Sequence, residues 1–147
     1  MPYFDSAYLA KFYLNEPESD SVRQTAAELG DIAASIIARA EVVSVFHRKL
    51  REGVLPPEAF AALLAQFEAD CTAGLWRWLP MTDEILLRVN SAYRGLPATV
   101  FLRAADAMHL ATAAEAGIAE IWSNDRTLVA AAPHFGLRAR TVPVAAP

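Results

Sequence analysis

Short apolar runs and longer stretches of helical periodicity alternate along the whole chain, and this alternation restricts the fold more than any other feature. Parallel strands can be joined only through crossover segments of a dozen residues or more, usually helical, so such a succession predicts a mainly parallel sheet flanked by helices. Tyr3-Phe4 forms a first short strand, and residues 6–15 carry Leu9, Phe12 and Tyr13 at helical spacing before Pro17 stops them. A second helix is expected over residues 18–29, closed by Gly30. Residues 32–36 read as a strand, followed by a helix with Val42, Val45, Phe46 and Leu50 on one stripe. Pro56-Pro57 opens a helix that runs to Gly74, and residues 75–79 form a third strand. Thr82 caps a helix bearing Ile85, Leu86, Val89 and Tyr93, and residues 103–116 form an Ala-rich helix. A strand at 119–123, a short helix at 127–132 and a strand at 138–142 complete an α/β pattern with about five strands.

One domain is expected. A chain of 147 residues fits a single core, residues 1–147 contain no repeat or linker, and a hydrophobic content of 54% can fill it. The net charge of −4 argues against bulk nucleic-acid binding, which needs clustered Lys and Arg, while leaving room for a local basic patch. Cys71 stands alone, which excludes an intramolecular disulfide or a cysteine-based zinc site and suits a reducing cytoplasm. No run approaches the ~18 apolar residues of a membrane span, so a cytoplasmic protein without membrane contact is expected.

Against this apolar background four carboxylates stand out. Asp5 follows Pro2-Tyr3-Phe4, Glu41 interrupts an apolar helix, Asp106 sits among alanines, and Asp125 closes Ile121-Trp122-Ser123-Asn124. Ionised carboxylates in such surroundings cost free energy unless compensated, and a divalent cation commonly supplies the compensation. In open α/β sheets ligands bind beyond the carboxyl ends of the strands, near the point where strand order reverses. Asp5 follows the first strand, Asp125 follows the fourth and Glu41 comes soon after the second, so three of the acids belong on one edge. Strand position does not place Asp106, which lies one turn into its helix and faces the same way as Leu110 and Ala113.

Four segments resemble the motifs of PIN-domain nucleases, specifically the VapC-type toxins of toxin–antitoxin pairs, and together they span nearly the whole chain. Tyr3-Phe4-Asp5-Ser6-Ala7-Tyr8 resembles the opening strand and helix, Arg39-Ala40-Glu41-Val42 the second motif, and Ser123-Asn124-Asp125-Arg126 the fourth, with Ser123 where many members have Thr. Arg103-Ala104-Ala105-Asp106-Ala107-Met108-His109-Leu110 matches the third and is the most diagnostic. The resemblance implies a single PIN-like domain in which Asp5, Glu41, Asp106 and Asp125 bind one or two Mg²⁺ or Mn²⁺ ions and cleave RNA. It further implies support from Ser6 and Ser123, a homodimer, and a cognate antitoxin. Arg103 and Arg126 adjoin two of the acids and are the expected substrate contacts, ahead of the Arg48, Lys49 and Arg51 cluster.

Each acid also has a plainer use. Asp5 and Asp125 suit helix N-caps, Glu41 suits an ion pair with Arg39 or Arg48, and Asp106 one with Arg103. His109 reads as a structural helix residue, His47 and His134 as surface, and Trp76 and Trp78 as buried or interface residues. Two further function classes stay open. A catalytically silent interaction module would keep the fold and use its apolar faces. An acidic-site phosphatase would use the same sheet, although Ala7 stands where a dehalogenase-type enzyme needs a second Asp.

Overall fold

The computed structural model describes residues 1–143. Its strands are β1 (Tyr3–Phe4), β2 (Ala33–Ser35), β3 (Arg77–Leu79), β4 (Glu120–Trp122) and β5 (Arg138–Arg140). They form one sheet in the order β3-β2-β1-β4-β5, and every pairing is parallel. The helices are α1 (Ser6–Tyr13), α2 (Ser19–Leu29), α3 (Ala38–Arg51), α4 (Pro57–Ala73), α5 (Asp83–Gly95), α6 (Ala104–Glu115) and α7 (Arg126–Ala131), followed by a 3₁₀ turn over Ala132–Phe135. The expected α/β architecture is therefore present, with strands shorter than the sequence suggests. Trp76 lies just before β3 and is 4% exposed.

Side chains alternate across a strand, and this splits the core into two layers. Tyr3, Ala33 and Ile121 face Leu110, Ala113, Leu128 and Phe135. Phe4 and Ala34 face Leu9, Val42, Phe46, Phe67 and Trp76. All strand residues of β1 and β2 are buried, as a central parallel strand covered by helices on both faces requires.

Aromatic side chains lock the second layer. The ring of Tyr13 meets Phe67 edge to face at 5.4 Å and Phe46 at 6.0 Å, while Phe12 meets Trp76 at 5.0 Å. The Tyr13 hydroxyl accepts from Trp76 Nε1 at 2.8 Å and donates to Asp70 at 2.7 Å, so this wedge between α1, α4 and β3 leaves no polar atom of its own unsatisfied.

β1 occupies the middle of the sheet, with β2 and β3 to one side and β4 and β5 to the other. The chain winds outwards through β2 and β3 on one side, then returns past β1 to β4 and β5 on the other, and a crevice opens beyond the carboxyl end of β1 at this reversal. Asp5 is the first residue past that end. Among the described residues no helix is long and apolar enough to cross a membrane.

The aromatic layer sets the main stability prediction. Phe46→Ala removes a fully buried ring from between Tyr13 and Phe67 and is expected to lower the unfolding free energy by about 3–5 kcal/mol, measurable as a lower midpoint in urea.

Candidate metal centre

All four acids line one cleft of about 330 Å³ at the carboxyl end of β1, together with Ser6, Arg48, Arg103 and His109. Each reaches it from a helix N-terminus. Asp5 is the N-cap of α1 and accepts the Tyr8 amide at 2.9 Å. Asp125 is the N-cap of α7 and accepts from the Thr127 amide at 2.9 Å, the Thr127 hydroxyl at 2.7 Å and the Leu128 amide at 3.3 Å. Glu41 and Asp106 stand in the first turns of α3 and α6. Unpaired amides and aligned peptide dipoles make helix N-termini favourable for negative charge, so the fold partly compensates the acids that it gathers.

The capping role expected as a plain use for Asp5 and Asp125 is thus real, and it coexists with their place in the cleft. Asp106 also makes the expected pair with Arg103, at 3.4 Å, and the same guanidinium reaches Asp125 at 3.2 Å. Glu41 differs. Its recorded partner is neither Arg39 nor Arg48 but His109, whose Nε2 lies 2.7 Å from Glu41 Oε1.

Electrostatics distinguish Asp5, Asp106 and Asp125 from ordinary surface groups. Burial, helped by the charge of Asp125 and opposed by bonds from the Ser123 hydroxyl and the Tyr8 amide and by His109, pushes the Asp5 carboxyl up from 3.8 to about 6. Burial and the charge of Asp125 also raise Asp106, against the pull of Arg103. At Asp125 burial acts upward too, but bonds from Thr127 and Leu128 and the charge of Arg103 outweigh it and hold the carboxyl below its usual value. Asp125 therefore carries firm negative charge, while Asp5 and Asp106 pay for their position.

Ser6 lines the cleft and is half-buried, and Ser123 is fully buried with its hydroxyl accepting the Asp125 amide at 3.0 Å. Arg103 borders the cleft as expected. Arg126 is exposed and is not among the lining residues, whereas Arg48 is, from the cluster ranked behind Arg103 and Arg126 as a substrate contact. His47 and His134 are exposed. His109, read from the sequence as a structural helix residue, is 1% exposed and in contact with an acid of the cleft, a contact the sequence did not foresee. Its i+3 spacing from Asp106 was the available signal, but that spacing alone does not separate a core histidine from a site histidine.

The donor set is all oxygen, which suits a hard dication such as Mg²⁺ or Mn²⁺. Among the described residues no three His, Cys, Asp or Glu side chains converge as a ready-made cage. Mg²⁺ does not need one, because it keeps several of its waters and takes one or two carboxylates directly. A cationic group already sits against the acids in the form of Arg103, which shows where positive charge is favoured. A larger hollow of about 490 Å³, lined by residues preceding β1 and β4, offers Glu120 as its one charged side chain and lacks this chemistry.

The family model for the PIN domain matches residues 3–132. No curated protein sequence matches the chain. Among solved structures, FitAcB from Neisseria gonorrhoeae superposes with a TM-score of 0.74 at 16% identity, covering 95% of this chain and 96% of the other. VapBC2 from Rickettsia felis, described as bound to a DNA fragment from its promoter, gives 0.69 at 13% identity, with 97% and 100% covered. VapC20 from Mycobacterium tuberculosis, described as a sarcin-ricin loop cleaving toxin, gives 0.66 at 15% identity, with 89% and 95% covered.

A pH dependence follows from Asp5. Its folded pKa of about 6 exceeds the value of 3.8 for a free carboxyl, so between those limits the folded chain binds more protons than the unfolded one. The destabilisation is absent below about pH 4, grows as the pH rises through 6 and is complete at neutrality. Asp5→Asn, which preserves the cap acceptor, is expected to stabilise the metal-free protein at pH 7 by about 2–3 kcal/mol and to flatten this slope, as read from urea melts in chelator across pH 4–7.

Proposed function

The chain belongs to the PIN-domain family, and on that premise we propose that it is a Mg²⁺- or Mn²⁺-dependent endoribonuclease acting as the toxin of a toxin–antitoxin pair. The observation that carries this reading is the meeting of Asp5, Glu41, Asp106 and Asp125 in one cleft at the switch point of a parallel sheet. The motif resemblance to VapC-type toxins supports the reaction class, and so does the fold shared with VapC20, a toxin described as cleaving the sarcin-ricin loop.

The carboxylates of Asp5, Glu41, Asp106 and Asp125 would hold the ion. Bound there, it supplies concentrated positive charge that polarises a phosphodiester and acidifies water. The protein's own groups do the rest. Asp125, held below its usual value by its Thr127 and Leu128 bonds and by Arg103, stays charged at neutral pH and would anchor the ion. Ser123 ties the Asp125 backbone and, through its hydroxyl, Asp5, so that two acids move as one unit. Arg48 and Arg103 at the rim offer positive charge to a phosphate backbone that the overall charge of −4 would otherwise repel.

Arg103 pairs with both Asp106 and Asp125, so an RNA phosphate that drew its guanidinium away would leave both carboxylates available to hold the ion. A cognate antitoxin and a homodimer belong to the same proposal. For the dimer, Leu87 and Phe101, 64% and 65% exposed, are apolar surface available for a partner copy.

Two outcomes test the proposal. Chelator, or Asp5→Asn or Asp106→Asn, is expected to reduce RNA cleavage to background, with undiminished cleavage in either case refuting the metal-dependent reaction. Millimolar Mn²⁺ is expected to raise the melting temperature by several degrees, because it binds the folded chain alone and relieves repulsion among the acids. Sequencing the 5′ ends of RNA fragments after brief expression would identify the target.

A further inference from the structure

His109 stands on α6 one turn after Asp106, and its two ring nitrogens meet partners on opposite sides. Nδ1 lies 2.6 Å from the Tyr3 hydroxyl and Nε2 lies 2.7 Å from Glu41 Oε1. The Tyr3 oxygen also accepts the Ser35 amide at 3.0 Å. Tyr3 is fully buried, and its phenol, like any ordinary tyrosine at neutral pH, carries a proton. That proton needs an acceptor, and Nδ1 is the one in reach. The imidazole therefore carries its own proton on Nε2 and donates it to Glu41. A directed chain runs from the β2 backbone through Tyr3 and His109 to the carboxylate.

Glu41 needs such a hold more than the other acids do. Asp5 and Asp125 are pinned by the amides of the helices they cap, and Asp106 is short and paired with Arg103. Glu41 has a longer, partly exposed side chain, and repulsion from its neighbours drives it outwards into water. Its recorded hydrogen bond comes from His109, whose ring is held edge-on to Tyr3 at 5.8 Å and 74°. A single N–H donor at Nε2 restrains one oxygen of the carboxylate and leaves the other without a protein partner among the described residues.

We propose that His109, locked by the Tyr3 hydroxyl, is a positioning residue that holds one oxygen of Glu41 in the cleft and leaves the other free for a divalent cation. This rests on the reading of the cleft as a dication site. Partners that orient a metal ligand from behind typically change metal affinity 10–100-fold when removed.

The test measures Mn²⁺ binding to the full chain by calorimetry without RNA, alongside melting in chelator. If the wild type binds no Mn²⁺, the metal reading itself fails and this inference goes with it. Given wild-type binding, His109→Leu is expected to weaken Mn²⁺ by about 10–100-fold, and His109→Gln, whose amide nitrogen can replace the Nε2 donor, to recover most of the loss. Unchanged affinity in His109→Leu, or a loss that His109→Gln does not recover, overturns the positioning role while the metal reading stands. Should His109→Leu fail to fold, Tyr3→Phe and nitrogen-15 NMR decide. The wild type is expected to show His109 as the Nε2–H tautomer, and Tyr3→Phe to weaken Mn²⁺. An Nδ1–H tautomer, or wild-type affinity in Tyr3→Phe, overturns the proposal.

Discussion

Crowding of like charge is the constraint around which this molecule is organised. Asp5 and Asp106 are buried, Asp125 lies close enough to raise both, and Glu41 completes the same cleft. Such a group survives in a folded protein only because each member receives something back. The N-termini of α1, α3, α6 and α7 supply dipole and amide compensation, and Arg103 supplies charge. The sheet makes this possible, because the carboxyl end of a central parallel strand is where crossovers diverge and helices begin.

Compensation remains incomplete, as the raised Asp5 and Asp106 show. A fully satisfied carboxylate has little affinity left for a cation, whereas Asp5, raised to about 6, is poised to gain from one. Arg103 bridges Asp106 and Asp125 with a side chain that is 63% exposed, so it can be displaced at small cost. The proposed dication site would thus keep an arrangement that costs the metal-free fold stability.

The buried chain from Ser35 through Tyr3 and His109 to Glu41 joins the two aspects. Tyr3 serves the core through its ring and the cleft through its hydroxyl. Tyr3 is thus connected to Glu41 through His109, although it does not itself line the cleft. Hydrogen bonds of this kind, inside low-dielectric surroundings, couple packing to the orientation of a functional group.

The periodicity of apolar residues was enough to lay out every strand and helix of the described chain in order, because alternating short strands and amphipathic helices admit few topologies. Asp5, Glu41 and Asp125 were also legible as neighbours, since each follows a parallel strand or closely succeeds one. Asp106 was not placed by that logic. Two helices, α5 and α6, separate β3 from β4, and the direction in which α6 starts depends on tertiary contacts such as the Tyr93 hydroxyl on the Leu102 carbonyl at 2.6 Å. The Tyr3–His109 and His109–Glu41 bonds likewise span 106 and 68 residues. Local sequence encodes spacing along one element, while such pairs depend on how elements pack. The sequence by itself thus determined the α/β order and the chemical character of the acids. Only the tertiary structure decided that Asp106 joins them, that Arg48 rather than Arg126 lines the cleft, and that a buried histidine holds Glu41.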